Sequence, residues 1–329
     1  TVDSTLMGRA ATRLLSWSAL LAANIVCGAT ALAERPEPND WLNRMAAAVQ
    51  QTSYEGTVIR IREGKAEALK VVHTVADGVI RERLVSQEGD GLEIIRNGNE
   101  VHCILPDRKS VLVEEWNDQS TLFSTLPSSE VRFGSEYDVV LVREDRVAGR
   151  QAMLVAIRPH DEFRYGHRIW LDLETAFPLQ AQLIGVDGDP VEQVKFADIS
   201  LNMPIDPAML APSVDTASFR WFNQPTRHRS QSISTDWQAT ALPRGFRAIA
   251  THGEKLPGSE EMTTHIVYSD GLANVSVFVA HSDGSDSTGA QSVGASNSFS
   301  VVVDGHRITA VGEVPPVTVE QIATTMTLP

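Results

Sequence analysis

Nucleophilic catalysis needs an activated hydroxyl or thiol beside a base, with a third group to orient that base. His102 and Cys103 are adjacent, but neighbouring side chains on a strand point to opposite faces, so they cannot serve as base and nucleophile where they stand. No Gly-x-Ser-x-Gly elbow occurs. The 9 histidines are scattered singly, with no His-x-x-x-His or Cys-x-x-Cys, so the spacings that preassemble a zinc site are missing. Glu114-Glu115 and Glu260-Glu261 are ordinary neighbours in an acidic chain, and the glycines mostly sit beside Asp or Asn in turns rather than in a phosphate loop. The residues offer no catalytic constellation and call for neither cofactor nor metal.

They do offer binding. Arg60, Arg62, Arg81, Arg83 and Arg96 interleave with apolar residues, and Trp116, Phe123, Phe163, Tyr165 and Trp170 are candidates for a cavity wall or rim. Arginines at the mouth of an apolar pocket suit an amphiphile with an anionic head, because a guanidinium pairs bidentately with phosphate or carboxylate. The same arginines also fit a plain solvated face. Nucleic acid is the wrong partner: 42 acidic against 28 basic residues give a net charge of -14, and phosphate backbones need clustered Lys and Arg.

These side chains must be positioned by a chain of 329 residues, 42% hydrophobic, enough for one large or two medium domains. Residues 1–33 stand apart. Arg9 and Arg13 precede the apolar residues 14–29, and Ala31-Leu32-Ala33 provides small residues at a cleavage site, so residues 1–33 read as a signal peptide. Export would leave Cys103 as the remaining thiol, with no partner inside the chain, which favours a buried, inert cysteine.

After the proline-rich start, Trp41, Leu42, Met45, Ala48 and Val49 recur at helical spacing. From Tyr54 the period changes to two, and short alternating runs follow one another, separated by turn formers such as Asp77-Gly78, Asn97-Gly98 and Asp187-Gly188. Ten or eleven strands are expected before residue 200, and a sheet of that size curls. With few helices to cover it, a barrel or half-barrel results, its hollow filled by side chains or open to a ligand. Residues 201–231 lose the period among prolines and mark the boundary. Strands are then expected at Phe246–Thr251, Thr263–Ser269, Ala273–Ala280, Phe299–Val303 and His306–Glu313, with a helix over Val317–Met326. Ser282–Ser298, rich in Ser, Gly and Asp, reads as a flexible surface loop.

The order of several segments resembles the MucB/RseB family of periplasmic regulators of an envelope-stress sigma factor. These are Tyr54-Glu55-Gly56-Thr57, Arg96-Asn97-Gly98-Asn99-Glu100-Val101, Tyr165-Gly166-His167-Arg168-Ile169-Trp170-Leu171, Leu242-Pro243-Arg244-Gly245-Phe246, Tyr268-Ser269-Asp270-Gly271-Leu272 and Val311-Gly312-Glu313-Val314-Pro315-Pro316. The resemblance implies a mainly β protein with helices (α+β) and no enzyme activity. Residues 34–212 would form an unclosed antiparallel β-barrel of lipoprotein-carrier type, 213–231 a linker, and 232–329 a small curved sheet with a helix. It implies location in the periplasm, binding to the periplasmic region of a membrane-spanning anti-sigma factor, protection of that region from proteolysis, and release on sensing an acylated or lipopolysaccharide-like amphiphile. A lipid carrier with no regulatory partner is the alternative, and self-association stays open. For the cavity or its rim the expected residues are Ile59, Ile61, Arg62, Leu69, Val71, Arg81, Ile94, Trp116, Phe123 and Trp170. For the partner surface they are Arg244, Phe246, Tyr268, Phe278 and Arg307, with Phe246 and Phe278 equally able to be core residues.

Overall fold

A computed structural model describes residues 37–115, 126, 134–223, 231–255, 261–282, 284 and 287–328. The expected signal peptide lies outside these residues, as do Trp116 and Phe123. Helix α1 (Pro38–Gln51) starts on a proline, which suits a first turn where no N–H is needed. Strands β1 (Tyr54–Arg62), β2 (Lys65–Ala76), β3 (Val79–Ser86), β4 (Glu93–Asn97), β5 (Glu100–Leu105) and β6 (Ser110–Glu115) form one meander. A second meander comprises β7 (Tyr137–Val147), β8 (Arg150–Pro159), β9 (Gly166–Asp172), β10 (Pro178–Ile184) and β11 (Pro190–Leu201). Pairing of β1 with β11 fuses the two, and the sheet ends at β7 on one side, so it is unclosed. This is the mainly β, open architecture expected.

The other edge was not anticipated. Strand β12 (Arg220–Asn223), from the proline-punctuated stretch, runs parallel to β6, with Trp221 edge-on to His102. Just before it, Glu93 accepts hydrogen bonds from Ser213 N and Oγ while paired with Arg83, which also donates to the Met209 carbonyl. Ser213 and residues 220–223 of the expected linker 213–231 are thus held to the large sheet.

Which face each side chain takes follows from the register. Val58 pairs with Leu69, Val71 with Leu84, and Leu84 with Ile94, all on the face that packs with Ala48 and Val49 of α1. Gly56 is required on that face, since a Cβ there would meet the Asp198 carbonyl and lie 3.1 Å from Ile199 Cα. Farther along the sheet, Trp41, Leu42 and Met45 of α1 pack with Val155, Ile157, Ile169 and Leu171. The helix fills this part of the hollow.

The small sheet has the order β13 (Gln231–Ser232), β15 (Arg247–Lys255), β16 (Met262–Ser269), β17 (Asn274–His281), β20 (His306–Gly312), β19 (Ser296–Val303) and β18 (Gly289–Val293); β14 (Gln238–Ala239) pairs separately with β21 (Met326–Thr327). Helix α2 (Pro316–Thr324) contributes Val319, Ile322 and Ala323 to a core with Ile266, Val277 and Ile308. The hairpin β18–β19 corrects the expectation of a loop over residues 289–298 of Ser282–Ser298. Its ladder is made by backbone groups, which Ser, Gly and Asn supply as well as apolar residues do.

Ala295 and Asn297 of that hairpin are buried, and Asn297 Nδ2 donates to Tyr165 Oη of the large sheet's β8–β9 connection at 3.0 Å. Both sheets belong to one compact unit. The central tie is Arg164, whose side chain is 0% exposed: Nη1 meets Asp270 Oδ2 at 2.6 Å and Nη2 donates to the Arg244 carbonyl at 2.5 Å. Tyr137 Oη donates to the same Asp270 oxygen at 2.7 Å, and burial beside that carboxylate raises the phenol's pKa. Thr318 Oγ1 adds a bond to the Phe163 carbonyl at 2.6 Å.

Removing one member of a buried ion pair strands the other charge, at about 3–5 kcal/mol. Arg164→Ala or Asp270→Ala should each lower the urea midpoint accordingly, while Arg164→Met combined with Asp270→Leu should cost much less. Three variants matching the parent would show that the pair holds nothing. A second prediction concerns His167, set between Ile157 and Leu183 in the register, where burial lowers its pKa from 6.5 to about 4. Across that window the unfolded chain binds a proton that the folded chain refuses, so stability should fall as pH falls. His167→Leu should flatten this dependence; equal slopes in both proteins would contradict it.

Candidate functional site

The α1-bearing face of the large sheet is apolar beyond the helix. Along β4, β5 and β6 the register carries Ile94, Cys103 and Leu112 in one row, all only half-buried. Burial, then the nearby Glu114, pushes the Cys103 thiol up to about 11, so it is a small apolar lining residue rather than a nucleophile.

One polar row crosses the same face. Tyr54, His73, Glu82 and Arg96 are successive register partners on β1 to β4, and all four are buried. His73 Nδ1 lies 2.7 Å from Glu82 Oε2, and the Tyr54 ring stacks on the imidazole at 4.8 Å. Burial and then Glu82 raise the Tyr54 phenol pKa. This row escaped sequence reading because each residue sits on a different strand. Pairing is the missing information, although the alternation of Leu69, Val71 and His73 already put a histidine in phase with apolar positions.

Of the residues expected at the cavity, Leu69, Val71 and Ile94 lie on this face. Ile59 and Ile61 point the other way, pairing with Ala68 and Ala66. Arg62 ion-pairs with Glu192 at 2.9 Å beside Gly294 of the small domain. Arg81 is exposed and donates to Asn97 at 3.3 Å, and Trp170, on the face opposite Ile169, donates Nε1 to Asp145 at 3.1 Å.

The residues expected at the partner surface divide similarly. Phe246 and Tyr268 are buried in the small domain's core, and Tyr268 Oη accepts from Ala239 N, so neither is presented to a second protein. Arg244 is exposed and reaches Glu136 and Ser135 of the large domain, both at 3.3 Å. Phe278 is half-buried on the sheet face away from α2, stacked on His265 at 4.4 Å, and Arg307 is half-buried on β20.

A concavity of about 1080 Å³ lies on the other face of β7 to β10. Its floor is Leu154, Ala156, Trp170 and Ile184, all buried, and its rim includes Arg143, Arg158 and Arg168. One end is closed by residues 160–164, including Phe163 and Arg164 of the domain junction. The phase of Leu154, Ala156 and Arg158, and of Arg168 and Trp170, was visible in the sequence as two alternating runs; their adjacency was not. Among the described residues, no group of three or more His, Cys, Asp or Glu could hold a metal ion.

Comparison with known proteins gives this arrangement a context. The family model for the MucB/RseB N-terminal domain matches residues 37–214, and that for the MucB/RseB C-terminal domain matches residues 231–327. The chain is 30% identical over 297 residues to the sigma factor AlgU regulatory protein MucB of Pseudomonas aeruginosa, covering 87% of this chain and 90% of the relative. It is 27% identical over 290 residues to the sigma-E factor regulatory protein RseB of Escherichia coli K12, covering 88% and 90%. The solved complex of Pseudomonas aeruginosa MucA and MucB superposes with a TM-score of 0.67 at 28% identity, covering 89% of this chain and 99% of that one. A crystal structure of MucB with MucA(peri) gives 0.66, again at 28% identity with coverage of 89% and 99%. Matched in order by both domain models, and similar along nearly its whole described length to a sigma factor regulator, the chain belongs to the MucB/RseB family.

Proposed function

We propose that the protein is a periplasmic regulator that binds the periplasmic region of a membrane-spanning anti-sigma factor, shields it from proteolysis, and gives it up on binding an acylated amphiphile. The observation that carries this reading is the extended similarity to MucB, which has been solved in complex with the MucA periplasmic region. We assign the amphiphile to the large domain, residues 34–212, and the partner mainly to the small one, residues 232–329, joined by residues 213–231. The half-buried row of Ile94, Cys103 and Leu112 supports the first assignment, because it leaves apolar surface that an acyl chain can cover. For the second, the small sheet's face with Phe278 is the accessible one, and its short edge strand β18 has backbone groups open to pairing.

Binding of partner and amphiphile would be coupled through the domain junction, each weakening the other by the same free energy. Moving such a switch from mostly holding to mostly releasing takes about 5.5 kcal/mol of differential binding. At roughly 0.8 kcal/mol per buried methylene, about seven methylenes bound only in the releasing state suffice.

Titrating the purified complex with an acylated amphiphile should weaken partner affinity, and Ile94→Asp should blunt that response while leaving affinity without amphiphile unchanged. A complex whose dissociation constant stays constant while amphiphile demonstrably binds would remove the regulatory coupling. Stoichiometric lipid extraction with no capture of an anti-sigma ectodomain would favour a carrier instead.

A further inference from the structure

We infer that the concavity on the outer face of β7 to β10 is a docking groove for an acidic, extended peptide segment. It lies on the opposite side of the sheet from the apolar face assigned to the amphiphile. Arg158 and Arg168 lie diagonally across β8 and β9, Arg168 pairing in register with Ala156. Among the described residues neither has an ion-pair partner. Asp138, opposite Arg158 in the register, is taken by His160 Nε2 at 3.1 Å. In a chain of net charge -14, two adjacent exposed guanidiniums make a local positive field, with Asp161 and Glu162 of the lining at the closed end of the groove.

Leu154, Ala156, Trp170 and Ile184 on the floor are already buried, so they leave little surface for methylenes to cover, while Val142 and Val186 at the margin are exposed. The groove offers the paired N–H donors of the arginines and the amide of Gln182, which suit the carboxylates and backbone carbonyls of a peptide. At about 1080 Å³ it is as large as the upper range of small-molecule pockets and open enough for a strip of chain.

Its end wall adds a condition. Phe163 and Arg164 line the groove and also hold the small domain, through Thr318 and Asp270. A peptide in the groove therefore meets that wall in its present position only while the two domains are docked.

The test uses the full chain and a fluorescein-labelled ten-residue peptide of alternating glutamate and alanine, with its lysine counterpart as control, read by anisotropy. The glutamate peptide should bind and the lysine peptide should not. Arg158→Gln with Arg168→Gln should weaken binding roughly tenfold, the sum expected for two exposed charge pairs. Arg108→Gln, an exposed arginine on the β5–β6 turn, should leave it unchanged, with circular dichroism confirming the fold of each. Added salt should weaken binding further. Equal affinity in the double variant, or equal binding of the lysine peptide, overturns the proposal. Loss in the double variant of binding to phosphatidylglycerol vesicles, with no peptide binding by the parent, overturns it in favour of a lipid-headgroup site. Because the probe is not the anti-sigma partner, failure to capture that partner would count against the proposed function and not against the groove.

Discussion

A fully buried arginine has to be answered by a carboxylate, and the fold is organised around that demand. Arg164 stands in the connection between β8 and β9, and its charge is met by Asp270 in the β16–β17 turn of the other domain. Desolvating both ions costs several kcal/mol each, so the pair is tolerable only because its remaining hydrogen bonds are filled. Tyr137, Asp161, the Arg244 carbonyl and the Leu272 and Ala273 N–H groups fill them. On this account such a pair confers geometry more than stability, by favouring one seat for the small domain on the large one.

From that seat the two faces of the large sheet acquire different chemistry. One face receives α1 and carries the apolar cluster of Val58, Leu69, Val71 and Leu84 beside the buried Tyr54–His73–Glu82–Arg96 row. The other is paved with arginine stems over Leu154 and Trp170 and runs into the junction at Phe163. Strand alternation produces both from the same residues, since every second side chain of β8 and β9 goes each way. The two faces of one sheet thus differ in chemistry while sharing the same strands.

Much of the fold was legible because its signals are local. Asp77-Gly78 and Asp304-Gly305 adopt the paired positive φ values of tight hairpin turns, 52° and 75° in the first and 48° and 73° in the second. The eleven strands β1 to β11 fall where alternation placed them. What failed was what depends on partners distant in sequence. Ser282–Ser298 has the composition of a loop, yet Ala295 and Asn297 are buried against the large domain, which orders the hairpin. β12 lies among prolines and is a strand only because the β6 edge is open beside it. Bulges at Thr57/Val58 and Leu141/Arg143 shift register in ways no composition reveals, and with them which side chains share a face. Arg164, flanked by Phe163 and Tyr165, gave no sign of being a fully buried charge that ties the two domains.

The claim that this ion pair sets the relation between the two domains is tested most directly by inter-domain distance distributions. Spin labels would be placed on the exposed β5–β6 turn and on the outer side of α2, with Cys103 replaced by serine, in the parent and in Asp270→Ala. The account predicts a single narrow distribution in the parent and a broad or multiple one in the variant. A variant distribution as narrow as the parent's, at the same distance, would contradict it.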